Sequence, residues 1–437
     1  MVLSAAPVAP LAAHPMLVFL LQVGLLLASA VVLGRLAARL AMPTVAGELL
    51  AGVLLGPSLL DHVAPALSGW LLPKDPAQFH LLDAFGQIGV LLLVGVTGAQ
   101  LDFALMRRQG AVAVRVSLSG LAVPLALGVG AGFLLPGALM ADGADRRVFA
   151  FFLGVAMCVS AIPVIARTLA DMGLLHRDIG QLTLTAGMVD DAAGWLLLSV
   201  VSAMAATGVT AVGVAASAGA LLLVVVLAFA ARPVAGPLLG WSARPGTQDR
   251  SVPTMIALML LAAAGTHALG LEPIFGAFLG GIVIGSTGAV SAERLAPLRS
   301  LVTSFLAPVF FAAAGLRMDL TALGRPLVLW TGLAVLLLAV AGKFAGAFAG
   351  ALLGGLNRWE ALALGAGLNA RGVVEVVVAT VGLRLGVLST ASYTIVVLVA
   401  IITSLMAPPV LRLAMARVET TAEEELRGHA LALVEPH

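Results

Sequence analysis

Apolar residues fill this chain in long runs, each near the length needed to cross a hydrocarbon layer, and the breaks between runs are short and carry Arg, Asp, Pro or Gly. A spanning helix needs about 20 largely apolar residues. On that measure the hydropathy predicts thirteen spans, at 16–34, 43–60, 80–98, 110–135, 147–169, 178–204, 208–231, 251–269, 273–288, 298–316, 326–353, 359–383 and 389–413. The pattern describes an all-α polytopic membrane protein of about thirteen transmembrane helices. The first run follows an uncharged N-terminus and has no small-residue cleavage site before Arg35, which reads as a retained span rather than a signal peptide.

Composition removes the soluble alternative. Of 437 residues, 61% are hydrophobic and 11% charged, with a mean hydropathy of +1.10. The lone Cys158 permits no internal disulfide and, among Val155, Ala156, Met157 and Val159, reads as an inert buried thiol. A pI near 9.2 carries no nucleic-acid signal, because the arginines are scattered through short loops.

The 24 basic and 22 acidic residues are few enough to place singly. An odd number of spans puts the termini on opposite sides. With the C-terminus inside, fifteen Lys/Arg fall on the inner side, and six fall outside: Lys74, Arg146, Arg147, Arg317, Arg325 and Arg384. The positive-inside rule therefore favours an external N-terminus, residues 1–15, and a cytoplasmic tail, residues 418–437. In that tail Glu423-Glu424-Glu425 reads as a solvated end. Seven charges remain within spans: Glu48, Arg115, Asp190, Asp191, Lys343, Arg371 and Glu375. Each costs roughly 2.5–3.5 kcal/mol at mid-bilayer on insertion scales, so each needs a reason.

Two segments share a Glu-x3-Gly-x3-Gly spacing, Glu48 to Gly56 in the second span and Glu272 to Gly280 in the ninth. Elements seven spans apart run in opposite directions, which predicts two inverted six-span repeats. These are 16–204, with a core part at 110–204, and 251–417, with a core part at 326–417; a linker helix and loop, 205–250, join them.

The strongest chemical signal is Asp190-Asp191, mid-way along the sixth span in Thr185-Ala-Gly-Met-Val-Asp-Asp-Ala-Ala-Gly194. Adjacent helical side chains project about 100° apart, so one can face a cavity and the other a neighbouring helix. Two buried carboxylates so close cannot both be cheaply ionised, and such a site can exchange a proton for a small cation. Lys343 is one of two lysines in the chain, in a sequence that otherwise chose Arg, and it sits at depth in the eleventh span. That choice fits either a group that releases its proton or a structural ion pair. Two spans carry polar breaks at depth, Ser160-Ala-Ile-Pro163 in the fifth and Asn369-Ala-Arg371-Gly-Val-Val-Glu375 in the twelfth. They too are seven spans apart, and paired interrupted helices mark transporter binding sites. Arg371 and Glu375, i and i+4, can pair on one face.

The remaining candidates are weaker. Arg115 reads as a structural residue close enough to a helix end to snorkel, Glu272 as an interfacial helix start and His267 as a satisfied polar residue, and Glu48 has no assigned role. No phosphate loop, His-Glu-x-x-His or Cys/His metal cluster appears in the sequence.

On these residues the chain resembles the monovalent cation:proton antiporters of the second cation:proton antiporter family. The likeness is carried by Pro43-Thr-Val-Ala-Gly-Glu48 to Gly56-Pro57-Ser58, Ser160-Ala-Ile-Pro-Val-Ile-Ala-Arg167, the Asp190-Asp191 pair, Phe305-Leu-Ala-Pro308-Val-Phe-Phe, Gly342-Lys343 and Asn369-Ala-Arg-Gly372. The run Leu174-Leu-His-Arg-Asp-Ile-Gly180 is similar to the plant and fungal cation/proton exchanger branch.

The resemblance implies a secondary active transporter and no enzyme, exchanging Na⁺ or K⁺ for H⁺ by alternating access, electrogenically, with no cofactor. It implies a homodimer in the bacterial inner membrane, whose core crosses two discontinuous helices at mid-membrane. Asp191 would carry the cation or proton with Asp190 beside it, Asp190 would pair with Lys343, and Ser160, Pro163, Asn369, Arg371 and Glu375 would line the crossing. Two features depart from the pattern: the plant-like branch more often has Asn at position 190, and many bacterial members place the Glu two residues after the Arg rather than four. With only about twenty residues after the last span, no nucleotide-gating domain is expected on the chain. A cation channel or ion sensor on the same fold is the alternative. An intramembrane aspartyl hydrolase is disfavoured, since adjacent aspartates on one helix cannot face each other across a scissile bond.

Overall fold

The computed structural model describes residues 12–426 except 41, 73–75, 102, 209–210 and 243–249. Lys74, Arg244 and Arg427 of the charge tally, and most of the N-terminal segment 1–15, lie outside the described residues. In chain order the helices are α1 (Ala13–Arg39), α2 (Thr44–Leu55), α3 (Leu60–Val63), α4 (Pro65–Leu71), α5 (Pro76–Ala99), α6 (Phe103–Leu134), α7 (Arg146–Cys158), α8 (Ile162–Asp171) and α9 (Asp178–Thr207). There follow α10 (Ala211–Ser242), α11 (Ser251–Ala268), α12 (Pro273–Ser286), α13 (Ala292–Leu301), α14 (Ala307–Gly315), α15 (Pro326–Leu353), α16 (Arg358–Leu368), α17 (Val373–Arg384) and α18 (Thr390–Met415). Among the described residues there is no strand, only an isolated bridge between Met140 and Leu388.

Among the described residues eleven helical segments are long and apolar enough to cross a membrane, and α16 with α17, bent by 47° at their break, make a twelfth when the pair is counted as one span. The remaining expected span is α12, whose 14 residues fall short of the usual length. The helix of the fourth expected span begins at Phe103 rather than 110. The small helices α3 and α4, which hydropathy did not anticipate, fill the connection after α2, and Gln22 Nε2 of α1 donates to the Leu71 carbonyl at 2.7 Å.

Two sets of helices pack most closely among themselves. In one, α6 lies against α7, α9 and α15, and α16 lies against α15 and α18. In the other, α1, α2, α5 and α14 pack together, and α12 joins α5 and α11. Without a hydrophobic drive between helices in lipid, close approach depends on small residues. Gly342 shows this at the α6–α15 contact: a Cβ there would come within 3.1 Å of the Pro124 Cα. That approach leaves the neighbouring Lys343 fully buried between helices instead of facing lipid.

Beyond α18 the chain folds back. Of the three acidic residues of the tail, Glu423 and Glu425 are exposed as expected, but Glu424 is only 3% exposed, which corrects the expectation for that residue. Its carboxylate lies 3.1 Å from Arg177 Nε and accepts from the Asp178 amide at 2.7 Å, the first amide of α9. Arg177 also donates to the carbonyls of Val418 and Glu419. Anions are favoured at a helix N-terminus, and that position was unreadable because the partners are about 246 residues apart in sequence.

Burial would raise the Glu424 pKa, but the Thr421 and Asp178 amides and the Arg177 guanidinium outweigh it and hold the group below 4.5. A depressed folded pKa contributes stability that is complete above the unfolded value and is lost as pH falls through the folded one. Glu424→Gln should therefore lower the melting temperature by a constant amount above about pH 5, with the gap from wild type closing in more acid buffer. A gap independent of pH would exclude the ionised carboxylate as its source.

Candidate functional site

The centre of the first helix set is a crossing of two broken helices. α7 ends at Cys158 and α8 begins at Ile162, so the break falls on Val159-Ser160-Ala161 and Pro163 sits in the first turn of α8, where its missing N–H is tolerated. α16 ends at Leu368 and α17 begins at Val373. Between them Gly372 adopts φ +148°, a backbone conformation that L side chains rarely take. The two breaks touch directly: the Ala161 amide donates to the Ala370 carbonyl at 3.2 Å.

Breaking a helix leaves carbonyls at one end and amides at the other without intrahelical partners. At the end of α7 two buried cations meet the orphan carbonyls. Arg371 donates to Met157 O at 2.6 Å and Ala156 O at 3.4 Å, and Lys343 Nζ donates to Cys158 O at 2.7 Å. Positive charge at a helix C-terminus also opposes its dipole. Arg371 further donates to Ala339 O of α15 at 3.2 Å and lies 3.3 Å from Glu375 Oε1 in the first turn of α17. The anticipated i, i+4 pair is thus present, with both side chains almost wholly buried.

Asp190 and Asp191 lie in the middle of α9, both with no exposed surface, and their surroundings differ. Asp190 is saturated: Oδ2 lies 2.6 Å from Lys343 Nζ, and Oδ1 accepts from Ser117 of α6 at 2.7 Å. The Ser160 hydroxyl stands 2.8 Å from both Asp190 Oδ2 and the Leu368 carbonyl, and its single proton serves one at a time. Neither oxygen of Asp191 has a hydrogen bond of full geometry. The Ile162 amide, at the N-terminus of α8, is the backbone group turned toward it. Both polar atoms of the fully buried Asn369, at the other break, are also without partners.

Such groups are costly to bury unmet. The oxygens of Asp190 are therefore engaged by Lys343, Ser117 and Ser160, whereas neither oxygen of Asp191 has a full hydrogen bond, with the Ile162 amide at the positive end of a half-helix turned toward it. Among the described residues no group of three or more His, Cys, Asp or Glu forms a conventional metal site.

Other sequence candidates lie away from this centre. Arg115 is exposed and donates to Leu353 O at the end of α15 at 3.1 Å, and Glu48, part-buried in α2, lies against Gly34 of α1. His267 is exposed, and Cys158 is buried with its thiol directed to the Val155 carbonyl. Glu272 starts a helix, as expected; it is buried, pairs with Arg384 at the end of α17, and accepts from Ser202 of α9 at 3.2 Å. Arg384 also donates to Gln87 of α5 at 3.0 Å, and Gln87 to Asp83 at 3.1 Å. This polar chain joins α17 and α9 to α12 and α5. Sequence reading missed Ser117 altogether, because a serine among the apolar residues of α6 carries no local mark of its long-range partner.

A polytopic helical bundle with two broken helices crossing beside an unpartnered carboxylate defines a membrane-transport architecture. Residues 24–417 match the family described as sodium/hydrogen exchanger, transmembrane, and the chain belongs to it. It is 32% identical over 400 residues to the Na⁺/H⁺ antiporter NhaS4 of Synechocystis, covering 91% of this chain and 97% of that one. It is 31% identical over 380 residues to cation/H⁺ antiporter 19 of Arabidopsis thaliana, across 86% of this chain, and spans about half the length of that relative, 46%. The fold matches the sodium proton antiporter MjNhaP1 of Methanocaldococcus jannaschii with a TM-score of 0.68 at 16% identity, over 92% of this chain and 99% of that one.

Proposed function

We propose that this chain exchanges a monovalent cation, Na⁺ or K⁺, for protons across a membrane, with Asp191 as the shared binding group. The observation that carries the reading is the contrast within one aspartate pair: Asp190 is occupied by Lys343 and Ser117 while Asp191 is buried and free. A carboxylate that is either protonated or cation-bound, but not both, couples two fluxes through competition alone. Asn369 and the α8 N-terminus supply further dipoles around the passing ion. The transported ions are the only ligands this scheme requires, and it contains no catalytic step and no cofactor.

The first helix set, with spans from 110–204 and 326–417, acts in this reading as the moving core, related as inverted repeats, and 205–250 links the halves. The second set is the scaffold and the homodimer surface. Charge distribution supports an external N-terminus and an internal C-terminus, in a bacterial inner membrane. Lys343 makes the cycle electrogenic if cation binding frees Asp190 from it, because the ammonium then releases its own proton.

Reconstituted vesicles test the whole scheme. An imposed proton gradient should drive the cation uphill, with selectivity read from a panel of Na⁺, Li⁺, K⁺ and Rb⁺. Flux that only ever runs down the cation gradient would instead identify a channel on this fold. Current recorded from the same vesicles should fall with Lys343→Met, and an unchanged current would remove Lys343 from the charge-moving step.

A further inference from the structure

A groove of about 510 Å³ runs between α10 and α12, lined by none of the residues around the aspartate pair. Its walls are Val225, Ala228, Phe229, Leu279, Ile282 and Val283, and its only polar lining residues are Arg232 and Ser286. Residues 211–231 contain no charge. The apolar helix continues past Arg232, which is the one charge within the 28-residue candidate span Ala215–Ser242. It stands about 15 Å before the end of that span, from where a long side chain can snorkel toward the lipid phosphates. Its guanidinium stacks over Phe229 at 4.5 Å, and no carboxylate of the described residues lies within ion-pair distance of it. An arginine within a span that has no protein counter-ion is satisfied by an anion it can reach by snorkelling, and guanidinium groups match phosphate geometry.

We infer that this groove is a binding site for an anionic phospholipid, one acyl chain lying between α10 and α12 and the phosphate resting on Arg232. The apolar walls fit the chain, and the single charge at one end selects the headgroup. By the positive-inside assignment that end faces the cytoplasmic leaflet. Attachment there would bridge α10, which joins the two halves of the chain, to α12, which packs on α5 and α11.

The test uses purified full-length protein in detergent, with phosphatidylglycerol or phosphatidylcholine added and thermal unfolding recorded. Phosphatidylglycerol should raise the wild-type melting temperature above the value in phosphatidylcholine. Arg232→Gln should remove more than half of that increment, and Ile282→Trp, which fills the groove and keeps the charge, should do the same. Arg294→Gln, outside the groove, should retain the increment. Equal stabilisation by the two lipids, or a full increment in both groove variants, would overturn the proposal. So would an equal effect of glycerophosphate, which would identify a free-phosphate site. Conversion of dimer to monomer by Ile282→Trp with the lipid increment intact would identify the groove as a contact between copies of the chain.

Discussion

Asp191→Asn should reduce cation-dependent collapse of a pH gradient to the level of protein-free vesicles while leaving the protein folded. The substitution keeps the volume of the side chain and removes both its charge and its capacity to alternate between proton and cation. Asp190 does not substitute while Lys343 and Ser117 hold its oxygens. Melting temperature separates loss of transport from loss of fold. Removing an unpaired buried carboxylate relieves a desolvation cost, so the variant should unfold at or above the wild-type temperature. Transport at the wild-type rate by Asp191→Asn would place the shared site elsewhere.

Arg371→Gln should have the largest effect on stability. This side chain answers the orphan carbonyls of Ala156 and Met157, reaches Ala339 on α15 and pairs with Glu375, all without exposure to solvent. Removing one partner of a buried ion pair costs about 3–5 kcal/mol, because the other charge is stranded. The double variant Arg371→Gln/Glu375→Gln should recover part of that loss in a denaturant titration, since no unpaired charge remains. If single and double variants are equally destabilised, capping of α7 rather than the ion pair dominates, and a loss below about 1 kcal/mol would mean neither matters.

Much of the architecture was legible because lipid imposes simple rules. Every backbone group must be satisfied within a helix, so run length alone located the segments, and a charge inside a run was conspicuous. Asp190, Asp191, Lys343, Arg371 and Glu375 stood out for that reason. Only the local Arg371–Glu375 pair could be read from spacing. That Asp190 rather than Asp191 meets Lys343 came from the resemblance and depends on how α6, α9 and α15 pack, and Ser117 lies 73 residues from the carboxylate it serves. The same limit explains the tail: Glu424 reads as solvated until the fold brings it beneath α9. Hydropathy also located α12 to within two residues, although its 14 residues are fewer than an ordinary crossing needs.

One helix connects the two polar centres. α17 has Arg371 just before its first turn and Arg384 as its last residue, and its twelve residues span about 18 Å with no proline to bend them. It behaves as a connecting rod. Any stroke that shifts the crossing along the membrane normal must also pull Arg384 away from Glu272 and Gln87, which belong to the other helix set. The contact at the end of the bundle, where Arg384 meets Glu272 and Gln87, and the helix crossing thus share one rigid element.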